Sequence, residues 1–274
     1  MEPGLEKAPA TVAPAVPAGW TPIQAEEGRF FDQHWLELFA AGRIPLRIPP
    51  DAELFEEDLG RSLAYMLARL GELEGRRVVD LGCGPGDFSI FVARHGAQVE
   101  AVDVSPAALE ITRQRAAANG VAALVQTRLM PAERLDFPDG AFDWVLGFGV
   151  LHHTDLAVLG PEIRRVLKPD GKALFREPLG ANPALEFARR RLPYQGKYHS
   201  RHERPLNYAD MALLGTFFRE THLREFYLFS SLSRLLGGER GGFFRLLWAV
   251  DEFLLRHFRA LRRFCRYVVV EYRL

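Results

Sequence analysis

The spacing of hydrophobic residues along the chain changes near residue 77. Before that point, residues 30–39 and 54–70 have apolar side chains every three or four positions, which predicts helices packed ahead of the main domain. After it, short apolar runs alternate with segments of helical spacing. This alternation is typical of βαβ units, whose strands form a parallel sheet through right-handed crossovers.

The individual elements follow from this alternation. Strands are predicted at 78–81, 99–104, 124–127, 142–148 and 172–177. The helices between them are predicted at 88–95, 106–119 and 156–167. The helix at 106–119 has Ser105 as its N-cap and Pro106 at its first position, where the missing N–H costs nothing.

The rhythm breaks after residue 178. The later elements are predicted as a helix at 208–219, a strand at 226–229, a long helix at 242–263 and a terminal strand at 267–272. Residues 72–178 therefore form the expected core, and residues 179–204 and 231–263 are insertions. We expect these two insertions to form a lid over the site.

The first 22 residues differ in composition from the rest. Their prolines and alanines predict a flexible tail. They lack the positively charged start and the unbroken apolar run of a secretory signal. Residues 23–274 are then a single domain. With two cysteines and no apolar run long enough to span a membrane, the sequence favours a cytoplasmic protein.

The charges narrow the range of partners. The chain has 35 basic and 35 acidic residues and a formal net charge of zero. Binding to phosphate backbones usually requires a basic excess, so we expect no nucleic-acid partner. The oligomeric state is left open.

The strongest chemical signal is the glycine-rich turn after the first predicted strand, which reads DLGCGPG over residues 80–86. Glycine suits a tight turn with positive φ and lets the backbone approach a ligand. A dinucleotide loop would have glycine at position 87, which is Asp87 here, and a P-loop would end in Gly-Lys-Ser/Thr. The turn therefore suits an adenosine-type cofactor without phosphates, although an ordinary turn would share the glycines.

Two carboxylates accompany the turn. Asp80 precedes it and could pair with an ammonium or sulfonium group. Asp103 ends the second strand, where a carboxylate accepts hydrogen bonds from ribose hydroxyls. Cys83 is expected to be a small residue in the turn and not a nucleophile.

Four segments in order resemble class I S-adenosylmethionine (SAM)-dependent methyltransferases, and among these the group of quinone-biosynthesis methyltransferases. They are VVDLGCGPG at 78–86, AERLDFPDGAFD at 132–143, VLHH at 150–153 and RVLKPDG at 165–171. The resemblance covers about residues 77–178. It specifies the fold and the cofactor but not the methyl acceptor.

The resemblance implies a Rossmann-like, seven-stranded, mostly parallel α/β sheet with helices on both faces and an antiparallel final strand. It implies SAM as the cofactor. The residues that it assigns to SAM are Asp80, Gly82, Cys83, Gly84, Gly86, Asp103, Val104, Ala132 and Phe148. The family often has an Asp before the Ala that contacts the adenine, and here that position is Pro131, so only Ala132 is carried over.

The candidate catalytic residues are His152, His153 and Glu177. They follow the fourth strand and end the fifth, at the edge where parallel sheets bind substrates. Either histidine could take a proton from the acceptor, or could merely pack against the following helix. Glu177 could bind a cationic acceptor or form a structural ion pair.

Other candidates lie in the two insertions. Four polar residues of the first insertion could line the acceptor pocket or face water: Tyr194, His199, His202 and Glu203. The helix at 242–263 has a predicted apolar stripe formed by Leu247, Val250, Leu254, Phe258 and Leu261. We expect this stripe to pack on the protein as part of the lid, while the arginines of residues 243–266 leave weak membrane-surface contact as an alternative.

These observations lead to one functional hypothesis. The chain transfers a methyl group from SAM to a small, hydrophobic acceptor, with the nucleophilic atom unresolved and no metal required. A methyltransferase acting on protein or RNA is one alternative, and a SAM-binding protein without turnover is another.

Overall fold

The computed structural model describes residues 19–55, 60–191, 204–231 and 242–274. The helices that precede the sheet are α1 (Pro22–Ala40), α2 (Asp51–Leu54) and α3 (Gly60–Leu70). The helices that follow are α4 (Asp87–Ala93), α5 (Pro106–Ala118), α6 (Leu156–Val166), α7 (Pro183–Arg191), α8 (Tyr208–Gly215) and α9 (Gly242–His257). Short 3-10 helices in the described part of the chain include η1 (Leu151–His153) and η2 (Arg259–Phe264).

The strands form a seven-stranded sheet in the order β3-β2-β1-β4-β5-β7-β6. Their bounds are β1 (Arg77–Leu81), β2 (Gln98–Asp103), β3 (Val125–Leu129), β4 (Phe142–Phe148), β5 (Leu167–Pro178), β6 (Glu220–Phe226) and β7 (Tyr267–Arg273). The first five strands pair in parallel, and β7 pairs antiparallel with both β5 and β6. The predicted seven-stranded, mostly parallel sheet with an antiparallel final strand is confirmed.

Both faces of this sheet are covered by helices, because the buried residues of each strand alternate between two apolar clusters. Val78 of β1 packs in the cluster that contains α4 residue Phe91, whereas Val79 packs in the cluster that contains α6 residue Ile163. A parallel sheet requires such cover on both faces. The carboxyl ends of β1, β2 and β4 therefore open at one edge, between the two helical layers.

The strand predicted at 226–229 is misplaced, since β6 occupies residues 220–226. Tyr227 has a φ of 66°, a left-handed conformation that a strand cannot continue through. The predicted helix that precedes this strand is also too long. The helix predicted at 208–219 ends at Gly215, because the chain must turn before β6 begins at Glu220.

Helix α1 begins earlier than the hydrophobic spacing predicted. Thr21 is its N-cap and forms a capping box with Gln24, and Pro22 occupies the first turn. Residues 21 and 22 were assigned to the flexible tail, but they belong to this helix. Residues 1–18 lie outside the described part of the chain.

The long helix predicted at 242–263 is two elements, α9 and η2, and its buried face differs from the predicted stripe. Phe244 and Asp251 are buried, whereas Val250 and Phe258 are 38% and 53% exposed. Asp251 is buried because its carboxylate accepts the N–H groups of Leu228, Phe229 and Ser230. A polar residue thus anchors α9. The spacing of apolar residues in the sequence cannot predict such a contact. Among the described residues, no helix is long and apolar enough to cross a membrane.

Candidate active site

The glycine turn connects β1 to α4 at the carboxyl edge of the sheet. Gly82 has a φ of 60°, and a Cβ at this position would lie 2.6 Å from Cγ2 of Val150. Both the backbone conformation and the close packing therefore require glycine. Gly86, also left-handed, is the N-cap of α4. The turn brings its backbone close to the first residues after β4.

Asp80 and Asp103 are buried beside this turn. One oxygen of Asp80 accepts a 2.6 Å hydrogen bond from the Ser89 hydroxyl, while Oδ1 is buried and has no hydrogen-bond partner among the described residues. Asp103 accepts the N–H groups of Gly84 and Ser105, each at 2.8 Å. Burial raises the pKa of Asp80 to about 7 and the pKa of Asp103 to about 6. Two buried carboxylates with raised pKa values beside one turn mark a candidate functional site.

A cavity of about 670 Å³ opens at this edge. This volume lies within the range of small-molecule sites. An adjoining cavity of about 300 Å³ shares Gly82, Gly84 and Phe148 with it. The turn and the residues after β4 thus line the same larger cavity.

Most residues that the sequence assigned to the cofactor line these cavities. They are Asp80, Gly82, Cys83, Gly84, Asp103, Val104, Ala132 and Phe148. Gly86 lines neither cavity and shapes the turn instead. Burial raises the pKa of the Cys83 thiol, which disfavours a nucleophilic role.

Helix α1 forms the roof of the larger cavity, and sequence reasoning missed this contribution. Glu27, Phe31 and Trp35 of α1 line it together with the glycine turn. Phe31 also packs edge-on against the His153 ring, with centroids 5.3 Å apart. The Thr-Pro-Ile-Gln capping box at residues 21–24 and the aromatic residues one turn apart were the signals that could have identified this helix.

The two predicted insertions contribute less of the roof than expected. Arg204 and Leu206, at the end of the first insertion and just beyond it, line the larger cavity. No described residue of α9 or η2 lines either cavity, so the expected lid from residues 231–263 is wrong for the described part of that segment. Asp251 is hydrogen-bonded to the chain just after β6, the edge strand of the sheet. This contact holds α9 beside β6 and away from the glycine turn. Tyr194, His199, His202 and Glu203 lie outside the described residues.

His152 and Glu177 form a buried pair at the far wall of the larger cavity. Nδ1 of His152 lies 2.6 Å from Oε2 of Glu177, whose other oxygen accepts the N–H groups of Val150 and Leu151. Glu177 is fully buried and does not line the cavity, so it is not placed to bind a cationic acceptor as one of the sequence-based alternatives held. Its position instead fixes the His152 ring, because a carboxylate on Nδ1–H selects the tautomer with an unprotonated Nε2.

His153 has a separate carboxylate. Its Nδ1 lies 3.1 Å from Oε2 of Glu27, which α1 delivers to the cavity. The His152 and His153 rings are adjacent, with centroids 4.1 Å apart. Two histidines, each beside a carboxylate, therefore line the same cavity as the glycine turn.

The strand order, the glycine turn and the cavity at the carboxyl edge define the class I methyltransferase architecture. Residues 79–175 match the family model described as a methyltransferase domain. The resemblance in the sequence is thereby confirmed, and this segment carries a methyltransferase domain.

Similar proteins in sequence match about half of the chain. A ubiquinone biosynthesis O-methyltransferase of Xanthomonas euvesicatoria pv. vesicatoria (strain 85-10) is 37% identical over 147 residues, or 50% of this chain and 59% of that protein. The ubiquinone/menaquinone biosynthesis C-methyltransferase UbiE of Geotalea uraniireducens (strain Rf4) is 30% identical over 140 residues, or 49% and 56%. The chain thus spans a little over half the length of these curated relatives.

Solved structures extend the likeness to nearly the whole fold. Geranyl diphosphate C-methyltransferase from Streptomyces coelicolor A3(2), in complex with Mg²⁺, geranyl diphosphate and S-adenosyl-L-homocysteine, has a TM-score of 0.60. It is 17% identical, and the match covers 94% of this chain and 99% of that one. The [4+2]-cyclase SpnF has a TM-score of 0.61 at 21% identity, over 92% and 96%. At these identities the likeness shows the fold alone.

Proposed function

We propose that this protein transfers a methyl group from SAM to a hydroxyl-bearing small molecule, with His152 as the general base. The observation that carries the proposal is that His152, held by the buried Glu177, lines the same cavity as the glycine turn. The matched methyltransferase domain and its relatives support the reaction class.

The residues beside the turn fit this cofactor. SAM, when bound, supplies an electrophilic methyl group on a positively charged sulfur. Asp80 presents a buried oxygen without a hydrogen-bond partner in the described chain, which suits a cationic group. Asp103 accepts two backbone N–H groups, and a carboxylate has room for further donors such as ribose hydroxyls.

The chain itself supplies proton transfer and orientation. Glu177 lies 2.6 Å from Nδ1 of His152 and orients the imidazole that takes the hydroxyl proton. Glu177 also offsets the positive charge that the imidazole then gains. A deprotonated hydroxyl is a stronger nucleophile at oxygen. If the acceptor is a phenol, deprotonation also raises the electron density at the neighbouring ring carbons. The relatives include both O- and C-methyltransferases, and a base at this position serves either outcome.

The cavity wall favours an acceptor with an apolar body. Phe31, Met130, Leu156 and Val158 line it, and α1 covers one side of it. The pocket thus binds a hydrophobic body while His152 meets the hydroxyl. A macromolecular acceptor would need an open surface beside the methyl group, which a roofed cavity does not offer.

The alternative is a protein that binds SAM without transferring its methyl group. The same fold occurs in a protein named a [4+2]-cyclase, so the fold alone does not establish methyl transfer. The His152–Glu177 pair favours turnover, because a binding protein has no need of a base beside the acceptor space.

Incubation of the full chain with methyl-labelled SAM and a panel of small phenols, together with fractionated lysate, tests the proposal. We expect label in a small, organic-extractable product. His152→Gln should abolish labelling while SAM still binds, and the exposed His222→Gln serves as the matched control. Label on protein or RNA would contradict the proposed acceptor, and SAM binding without any labelled product would support the non-catalytic alternative.

A further inference from the structure

Helix α9 has an apolar surface on the side that faces away from the protein. Its inner side is anchored by buried Phe244 and Asp251, and Trp248 stacks on Phe226 with centroids 6.1 Å apart. The opposite side carries four large apolar residues spaced by three or four positions. They are Phe243 (51% exposed), Leu246 (61%), Val250 (38%) and Phe253 (60%). We call these four residues the outer stripe.

The outer stripe departs from the usual pattern of a surface helix. Such a helix places its apolar side on the core and its charged side in water. Here the buried side includes a carboxylate and the outward side is aromatic and aliphatic. Phe258, just past the end of α9, is 53% exposed and continues the apolar surface. A contiguous exposed apolar surface of this kind indicates contact with an apolar phase or a partner.

Arginines recur along α9 and η2, and two of them, Arg259 and Arg263, line a cavity that also contains Glu225. Arg245, Arg256, Arg259 and Arg263 are exposed and form no ion pair with any described residue. The acidic residues of 242–264 are Asp251 and Glu252. The first is buried in hydrogen bonds to backbone N–H groups, and the second is paired with Arg224. Residues 242–264 therefore carry an excess of positive charge, although the whole chain has no net charge.

We propose that α9 and η2 bind the surface of an anionic lipid bilayer, with the outer stripe in the headgroup–acyl boundary and the arginines on the lipid phosphates. Phenylalanine and leucine on one side of a helix, bordered by arginine, match the composition of interfacial helices. Anionic headgroups supply the complementary charge. The helix lies in the plane of the surface and does not span the bilayer.

A second copy of the chain is a poorer occupant of this surface. A two-fold contact through the stripe would place the same arginine-bordered patch on both sides of the interface. Arg256, Arg259 and Arg263 of one copy would then approach those of the other, and the two acidic residues of the segment are already engaged. A bilayer of anionic lipid avoids this repulsion.

Vesicle flotation of the full chain tests the proposal, with phosphatidylcholine vesicles compared with phosphatidylcholine–phosphatidylglycerol vesicles. Binding is expected to the anionic vesicles and to weaken with salt. Leu246→Ser with Phe253→Ser should lower the partition coefficient about tenfold or more through lost apolar burial. Arg256→Gln, Arg259→Gln and Arg263→Gln together should lower it roughly 100-fold, at about 1 kcal/mol per arginine.

Leu213→Ser is the matched control, since Leu213 is 45% exposed on α8, away from the outer stripe, and should leave flotation unchanged. Melting temperature and SAM affinity check that every variant folds, because no described α9 residue lines the cofactor cavities. Absence of flotation, equal flotation with neutral vesicles, or unchanged flotation of folded variants would overturn the proposal. Sedimentation that shows a concentration-dependent dimer, lost in the Leu246/Phe253 variant without any vesicle binding, would assign the stripe to a second copy instead.

Discussion

Asp32 of α1 accepts a 2.7 Å hydrogen bond from the hydroxyl of Ser105, the N-cap of α5. The same carboxylate oxygen accepts the N–H of Ala107 at 2.8 Å. Ser105 in turn donates its own N–H to Asp103, the residue expected on the ribose. The roof of the cavity and the cofactor site are thus joined through one capping network.

Replacing Asp32 with alanine should loosen α1. The substitution removes two hydrogen bonds to a charged acceptor, one of them from the first turn of α5. Such a loss typically lowers the free energy of unfolding by about 1–3 kcal/mol. We expect faster amide hydrogen exchange in residues 22–40 and faster release of SAM, measured by stopped-flow fluorescence. Glu37→Ala, at an exposed position of the same helix, is the control. Equal exchange in both variants would show that α1 is held by apolar packing alone.

Binding of SAM should depend on pH between about 5 and 8. Burial raises the pKa of Asp80 to about 7 and of Asp103 to about 6, so both carboxyls gain protons as the pH falls through these values. A cationic ligand and ribose hydroxyl donors favour the ionised forms, so binding at low pH must release protons. Affinity is therefore expected to fall roughly tenfold from about pH 7.5 to about pH 6.

Calorimetric titration in buffers of different ionisation enthalpy measures that proton release directly. Asp80→Asn should weaken SAM binding. It should also remove the change in affinity near pH 7, where Asp80 titrates. An affinity that is constant across the range would mean that neither carboxyl contacts the charged or hydroxyl groups of the cofactor.

Substitution of Gly82 by alanine should abolish SAM binding or fold stability at this turn. A Cβ there lies 2.6 Å from Cγ2 of Val150, and the φ of 60° is strained for any residue with a side chain. Adding Val150→Ala removes the clash but leaves the backbone strain. The double variant should thus recover only part of the affinity, and full recovery in a titration would show that the conformation is not required.

Glu177→Gln should reduce turnover while leaving SAM affinity unchanged. The amide cannot offset the positive charge on His152 and can present the wrong hydrogen-bonding group to Nδ1. Loss of general-base catalysis typically costs about 10²–10⁴ in rate. Steady-state assays against pH distinguish this role from a structural one, because the loss should shrink for acceptors whose hydroxyl is already ionised. A uniform loss for all acceptors, with a lowered melting temperature, would point to structural support.

The parts of the fold that obey simple periodicity could be predicted from the sequence. β4 begins at Phe142 and ends at Phe148 as predicted, and Ser105 caps α5 through its hydroxyl bond to Ala108 N–H. The glycines of the turn and both aspartates were identified because each satisfies a local requirement of the backbone or of a ligand. These requirements are visible within a few neighbouring residues.

The parts that depend on distant contacts could not be predicted in this way. Glu27 meets His153 only because α1 folds across the sheet edge, and nothing near Glu27 in the chain indicates that contact. Asp251 is buried because three N–H groups after β6 need an acceptor, so the buried side of α9 differs from the predicted apolar stripe. A polar residue that is buried for a partner elsewhere in the fold looks like a surface residue in the sequence.

The attachment of α1 also sets the order in which the site can be completed during synthesis. Its partner Ser105 lies 73 positions further along the chain. At about 5–20 residues per second, α1 leaves the ribosome several seconds before that partner exists. During this interval Phe31 and Trp35 lack the walls that they later cover. The aromatic side chains of the nascent helix therefore stay exposed to water during this interval, and the cofactor can be enclosed only after the βαβ units that follow α1 have formed.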